Sequence, residues 1–148
     1  MTKETLFSSI DAQIAAQLYT YETHKEGDIF SLIEDIVYHG DTEAFKAVFE
    51  AGVDVNIQNK YGWTPLHVAI RRNHQEMVQY LLDKGADINR VDGVGWTPLM
   101  ESIMDDMPHL CKLLLDHGAN TTIANQRGAT AAMLVHKFGR TSMMPYFS

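Results

Sequence analysis

Thr64-Pro65-Leu66-His67, Thr97-Pro98-Leu99-Met100 and Thr130-Ala131-Ala132-Met133 follow one another at a fixed step of 33 residues. The same step relates Gly52, Gly85 and Gly118, relates Asp54, Asp87 and Asn120, and relates Gly40, Asn73, Asp106 and Gly139. A period of this size confines a chain to stacked supersecondary units, because a single unit is too small to bury its own apolar face. The expected architecture is therefore a solenoid. Projected back by one step, Thr64 falls on Ser31, and Ser31-Leu32-Ile33-Glu34 keeps the hydroxyl and the apolar third position of a degenerate first unit.

Local signals define what one unit contains. Thr64 and Thr97 are N-cap residues followed by Pro at the first helical position, where the missing N–H is not needed. A short helix is expected from about Pro65 to Arg72, ending near Asn73. Met77, Val78, Leu81 and Leu82 then mark the buried stripe of a second helix between His74 and Lys84. Gly85 is suited to a left-handed C-cap, and Ala86-Asp87-Ile88-Asn89 leads through turn-forming residues to the next Gly-Trp-Thr-Pro. Each unit reads as helix, turn, helix and extended loop.

Gly62 to Asn89 closely resembles the ankyrin repeat, with its Gly-x-Thr-Pro-Leu-His opening and Leu-Leu-x-x-Gly-Ala-Asp-x-Asn close. Gly95 to Thr122 keeps most of the pattern, with Met100 in place of His and Thr122 in place of Asn. The resemblance implies an all-α ankyrin solenoid in which His67 bonds between adjacent repeats, a task Met100 and Met133 cannot perform. Repeats are expected over 28–60, 61–93, 94–126 and 127–148, the last truncated and acting as a C-terminal cap.

The segment 1–27 precedes the repeats. Phe7, Ile10, Ile14, Leu18 and Tyr21 lie on one helical face, so residues 5–22 are expected to form an N-terminal capping helix. At the other end, Pro145 disturbs any second helix of the fourth repeat. Met133, Met143, Met144, Tyr146 and Phe147 are expected to cover the third repeat as packing residues.

Several function classes are disfavoured. The net charge of −7 repels nucleic acid. No uninterrupted apolar run suits a signal peptide or membrane span. The single cysteine, Cys111, cannot form an internal bridge, which favours the cytoplasm. It aligns with apolar Val78 and is expected to be buried with a raised thiol pKa. The seven histidines show no metal-ligand spacing, Gly-x-Ser-x-Gly is absent, and the Glu34-Asp35 and Asp105-Asp106 pairs read as surface charge. No cofactor and no catalytic activity are expected.

The resemblance places the binding surface on the loop tips and first helices. The tips carry Lys60, Tyr61 and Trp63, then Val94 and Trp96, then Gln126 and Arg127; the first helices add Tyr38, His39, Arg71, Arg72, Met104, Asp105, Lys137 and Phe138. The candidate protein-binding set is Tyr61, Trp63, Arg71, Arg72, Val94, Trp96, Met104, Asp105, Arg127, Lys137 and Phe138. Trp, Tyr and Arg are enriched among binding hot spots. Trp63 and Trp96 also admit a stiffening role against neighbouring loops, and Arg71-Arg72 admits a role as a helix end complementing the dipole. Glu101 replaces apolar Val68 one repeat earlier, marking either a local pocket or an exposed position. The expected function is monomeric, noncatalytic binding of one protein. Small free-standing ankyrin proteins of bacteria, which the chain resembles, include inhibitors and immunity proteins. An adaptor joining two proteins, or a small-molecule binder or enzyme, are the alternatives.

Overall fold

A computed structural model describes residues 27–147. The capping helix expected over 5–22 lies outside the described residues. Within them are seven α-helices and no strand: α1 Gly27–His39, α2 Thr42–Glu50, α3 Pro65–Arg71, α4 Gln75–Asp83, α5 Pro98–Met104, α6 Pro108–Asp116 and α7 Ala131–Lys137, followed by a 3₁₀ turn at Met144–Phe147. The odd-numbered helices form one row, each touching the next, and the even-numbered helices form a second row behind it.

Thr64, Thr97 and Thr130 sit in extended backbone and accept the amide N–H three residues on, which stops each first helix from fraying. The turn inside each helix pair needs one left-handed residue, found at Gly40, Asn73, Asp106 and Gly139 with φ of 70°, 57°, 55° and 62°. One register of the 33-residue period is thus the left-handed corner.

The first pair departs from the projection. Helix α1 has 13 residues against seven in α3, so Ser31 lies inside it and not at its N-terminus. Phe30, Ile33 and Val37 are buried along its inner face, and the apolar stripe carries the helix back through the projected cap.

The core is shared. Phe45, Leu66, Ile70, Met77, Leu81, Leu99, Ile103, Leu110 and Leu114 are fully buried in one continuous cluster spanning all the pairs. Burying side chains of this size stabilises by about 1.5–3 kcal/mol each. At the C-terminal end Met143 is buried and Met144 and Phe147 lean on the cluster, as expected of a cap. Met133 and Tyr146 do not cover the third repeat: they are 56% and 39% exposed. Met133 holds the register of His67 and Met100, which are buried by the following unit, and no described unit follows it.

Each extended loop is a tight hairpin organised by one short polar side chain. Asn59 Oδ1 accepts the amides of Tyr61 and Trp63, Asp92 Oδ1 those of Val94 and Trp96, and Asn125 Oδ1 those of Arg127 and Ala129. Successive hairpins then join by backbone bonds, Gly93 N–H to the Tyr61 carbonyl at 2.8 Å and Gln126 N–H to the Val94 carbonyl at 3.2 Å. Behind them, Asn56 accepts from Asp87 N–H and Asn89 from Asn120 N–H, so carboxamides also link repeat to repeat.

His67 fastens helix to hairpin. Its ring is 0% exposed, and a neutral tautomer protonated on Nε2 satisfies every contact. Nε2–H donates to the Trp96 carbonyl at 2.9 Å, while Nδ1 accepts from the Thr64 hydroxyl at 2.8 Å and the Thr64 amide at 3.3 Å. Burial, opposed by the bond to Trp96, holds its pKa below the ordinary 6.5.

Two expectations follow for stability. Gly62 has φ +80° and an added Cβ would lie 2.5 Å from Gly93 N, whereas Gly85 has φ +83° and open space around it. Urea unfolding should therefore show Gly62→Ala costing about 3 kcal/mol or more, and Gly85→Ala about 1 kcal/mol. Removing the buried imidazole in His67→Ala should cost about 3 kcal/mol by the same measurement. Since the unfolded chain takes up the proton first, His67's stabilisation is present above about pH 6.5 and is lost as pH falls below it. That part of the slope should vanish in the variant.

Candidate functional site

The hairpin tips and the ends of the first helices meet on one surface because Trp63 bridges them. Its indole lies at the base of the Asn59 hairpin, 5.1 Å from the Tyr61 ring on the tip side. On the helix side the Arg71 guanidinium stands over it at 4.2 Å. Residues 64, 67–68 and 71 share one face of a helix, which is how a side chain at the end of α3 reaches back over a ring at its start. Stacking of this kind contributes about 0.5–2 kcal/mol according to exposure.

Arg71 is also committed to the next repeat. Its Nε donates to Glu101 Oε1 at 3.0 Å and Nη2 reaches the same oxygen. The Glu101 side chain is 13% exposed. The departure from apolar Val68 is therefore neither an open pocket nor simple exposure: it supplies the inter-repeat partner of a guanidinium already held by Trp63. The expected helix-dipole role of Arg71 is thus secondary to these two contacts.

Asp105 lies one turn beyond Glu101. Burial, then the Glu101 carboxylate, push its pKa up to about 6, while Arg71 and Arg140 pull it down. Its Oδ2 is buried without a hydrogen-bond donor, and a proton on that oxygen would have Glu101 as acceptor. Arg140, which sequence reasoning missed, donates from Nε and Nη2 to the Ile103 and Met104 carbonyls at 2.9 and 2.7 Å. It closes the C-terminal end of α5 from the following repeat. Its only sequence mark is its place after Gly139, the left-handed corner.

The remaining predicted residues divide by exposure. Tyr61 and Val94 are 54% and 52% exposed on neighbouring tips, Arg127 is exposed on the next, and Phe138 is 40% exposed at the end of α7. Arg72 stands over Tyr38 at 4.6 Å and Lys137 over Phe138 at 5.6 Å. Trp63, Trp96 and Met104 are half-buried against the core. Tyr61, Trp63, Arg71, Asp105 and, through Glu101, two repeats are thus brought into one chain of contacts, while Arg127, Lys137 and Phe138 lie on the fourth unit.

Charge is distributed unevenly. On the second helices and the loops after them, Lys46, Lys84, Arg90 and Lys112 pair with Glu76, Glu50, Asp87 and Asp116. On the tips and first helices Lys60, Arg72, Arg127 and Lys137 have no carboxylate partner among the described residues, and all but Arg127 stand over an aromatic ring.

No group of three or more His, Cys, Asp or Glu is placed to hold a metal ion among the described residues. Cys111 is buried, and that burial pushes its thiol to about 11, which leaves it protonated and unreactive near neutrality.

The family description "Ankyrin repeats (3 copies)" matches residues 33–125, well over half of the sequence. The chain belongs to the ankyrin-repeat family. Ankyrin repeats are protein–protein interaction modules. The chain is 53% identical over 44 residues to ankyrin repeat domain-containing protein 40 of Mus musculus, covering 29% of this chain and 12% of that protein. It is 38% identical over 46 residues to the human Notch-regulated ankyrin repeat-containing protein, covering 31% of this chain and 40% of that one. A 41% match over 44 residues to the L-asparaginase of Dirofilaria immitis covers 8% of that protein. The ankyrin chain thus spans between 8% and 40% of the length of these relatives, and the likeness is that of repeats.

The acidic pair gives an expectation with a definite sign. A carboxyl whose pKa is raised in the folded state takes up its proton there first, so stability declines as pH rises from about 4 to about 6. Asp105→Asn removes this decline. Thermal melts across that range should show the variant losing less stability than wild type as pH rises and standing above it near neutrality.

Proposed function

We propose that this protein is a noncatalytic binder that receives one partner protein on the tips and first helices of repeats 61–93, 94–126 and 127–148. The observation that carries the reading is the contrast in charge. Cations on the back are neutralised at home, whereas Lys60, Arg72 and Lys137 on the front rest on exposed rings and remain available to a partner. Aromatic and cationic side chains on rigid turns present contact area at low ordering cost. The tips are rigid because each is wound around an Asn or Asp side chain and bonded to its neighbour.

Within this reading we place an inhibitor- or immunity-type role first. Such a role requires one surface, where occupying the partner is itself the outcome. An adaptor needs a second, and the paired charges on the back offer little that is uncommitted. The reading includes a monomer acting in the cytoplasm, which the buried, lone Cys111 suits. No described helix is long and apolar enough to cross a membrane. Repeat 28–60, with its longer first helix, is assigned to supporting the binding repeats.

Affinity capture from native lysate tests this with two variants confirmed as folded by circular dichroism. Tyr61→Ala/Arg72→Ala/Phe138→Ala changes exposed front residues, and Lys112→Ala/Asp116→Ala changes the back. One protein should be retained by wild type and the back variant and lost by the front variant. Equal retention by the front variant, or loss confined to the back variant, would reject the surface.

A further inference from the structure

The two tryptophans at equivalent positions are treated differently. Trp63 has Tyr61 and Arg71 against it. One repeat later those two positions are Val94 and Met104, and no ring or cation stands against Trp96 among the described residues. On the tip side of Trp96, beside Val94, there is a recess of about 480 Å³ lined by Val94, Trp96, Asn125, Gln126 and Arg127.

Its polar lining is largely committed. Asn125 Oδ1 holds its own hairpin together, Gln126 Nε2 donates to the Gly93 carbonyl at 3.0 Å, and Gln126 N–H donates to the Val94 carbonyl. Arg127 alone among the lining residues is charged, and it has no carboxylate partner among the described residues. The floor is fixed as well. The Trp96 main-chain N–H donates to Asp92 Oδ1 at 2.9 Å and its carbonyl accepts from His67 at 2.9 Å, so the backbone that carries the indole is held in place before anything binds.

We propose that this recess seats an aromatic side chain of the partner, followed in the partner's sequence by a carboxylate that pairs with Arg127. The ring supplies to Trp96 what Tyr61 supplies to Trp63, and the carboxylate answers the one free charge at the rim. The inference rests on the protein-binding reading above and gives it a ligand chemistry.

The test uses the capped tetrapeptide Gly-Phe-Asp-Gly, with Gly-Ala-Asp-Gly and Gly-Phe-Lys-Gly for comparison, titrated to millimolar concentration against the labelled protein by proton–nitrogen correlation NMR. The Phe-Asp peptide should shift the Trp96 indole and the Arg127 amide saturably and leave the Trp63 indole in place. Loss of the ring should weaken binding about tenfold or more. Exchange of Asp for Lys should weaken it by about two- to fivefold. Arg127→Glu, a change at an exposed side chain, should reverse the preference between Asp and Lys.

A silent Trp96 indole overturns the proposal, as do equal binding of the Asp and Lys peptides or an unchanged preference in Arg127→Glu. If the peptide fails while lysate capture is still abolished by the front variant, only this inference falls. If both fail, the protein-binding reading falls with it.

Discussion

Leu66, Ile70, Leu99 and Ile103 leave water only because successive helix pairs press against each other. No pair encloses a core of its own. Contact in series is therefore the condition for everything else in the molecule, and the sequence spends its most constrained residues on securing it. The hairpin amides that cross from Gly93 to Tyr61 demand a backbone approach that leaves no room for a side chain at Gly62. His67 adds a bond from a helix in one unit to a carbonyl in the next.

The same joints position the candidate surface. A tip wound around Asn59, Asp92 or Asn125 has little freedom, so the residue two positions later is thrown outward in each unit: Tyr61, Val94 and Arg127. Variation at this register changes what the surface offers without changing how it is built. Arg71 and Arg140 extend the idea to the helices, each reaching from one unit into the third, to Glu101 and to the carbonyls closing α5.

Much of this was legible in the sequence because it depends on backbone chemistry that a few residue types monopolise. Threonine before proline marks a cap, glycine or asparagine marks a left-handed corner, and both recur at the period. His67 was legible through the family pattern. The first unit was legible only as degenerate, and the length of its first helix was not, since a hydroxyl in register does not stop a helix whose apolar stripe runs on past it. Met133 misled for another reason: its register is buried only when a further unit lies against it. The function of Glu101 required the knowledge that Arg71 lies on the adjacent unit at the same height, which one-dimensional spacing does not convey. The difference between Trp63 and Trp96 was written plainly at positions 61, 71, 94 and 104, but only the fold shows that those positions surround the indole.

His67 and Asp105 together have a consequence that neither has alone. In mild acid the unfolded chain gains a proton at the imidazole that the folded chain resists, and the folded chain gains one at the carboxyl that the unfolded chain resists. The proton thus acts as a ligand for both states, and its two preferences oppose each other in mild acid. An occupant that covers the carboxyl pair would disturb one preference and leave the other, and its affinity would then carry a proton uptake or release of its own.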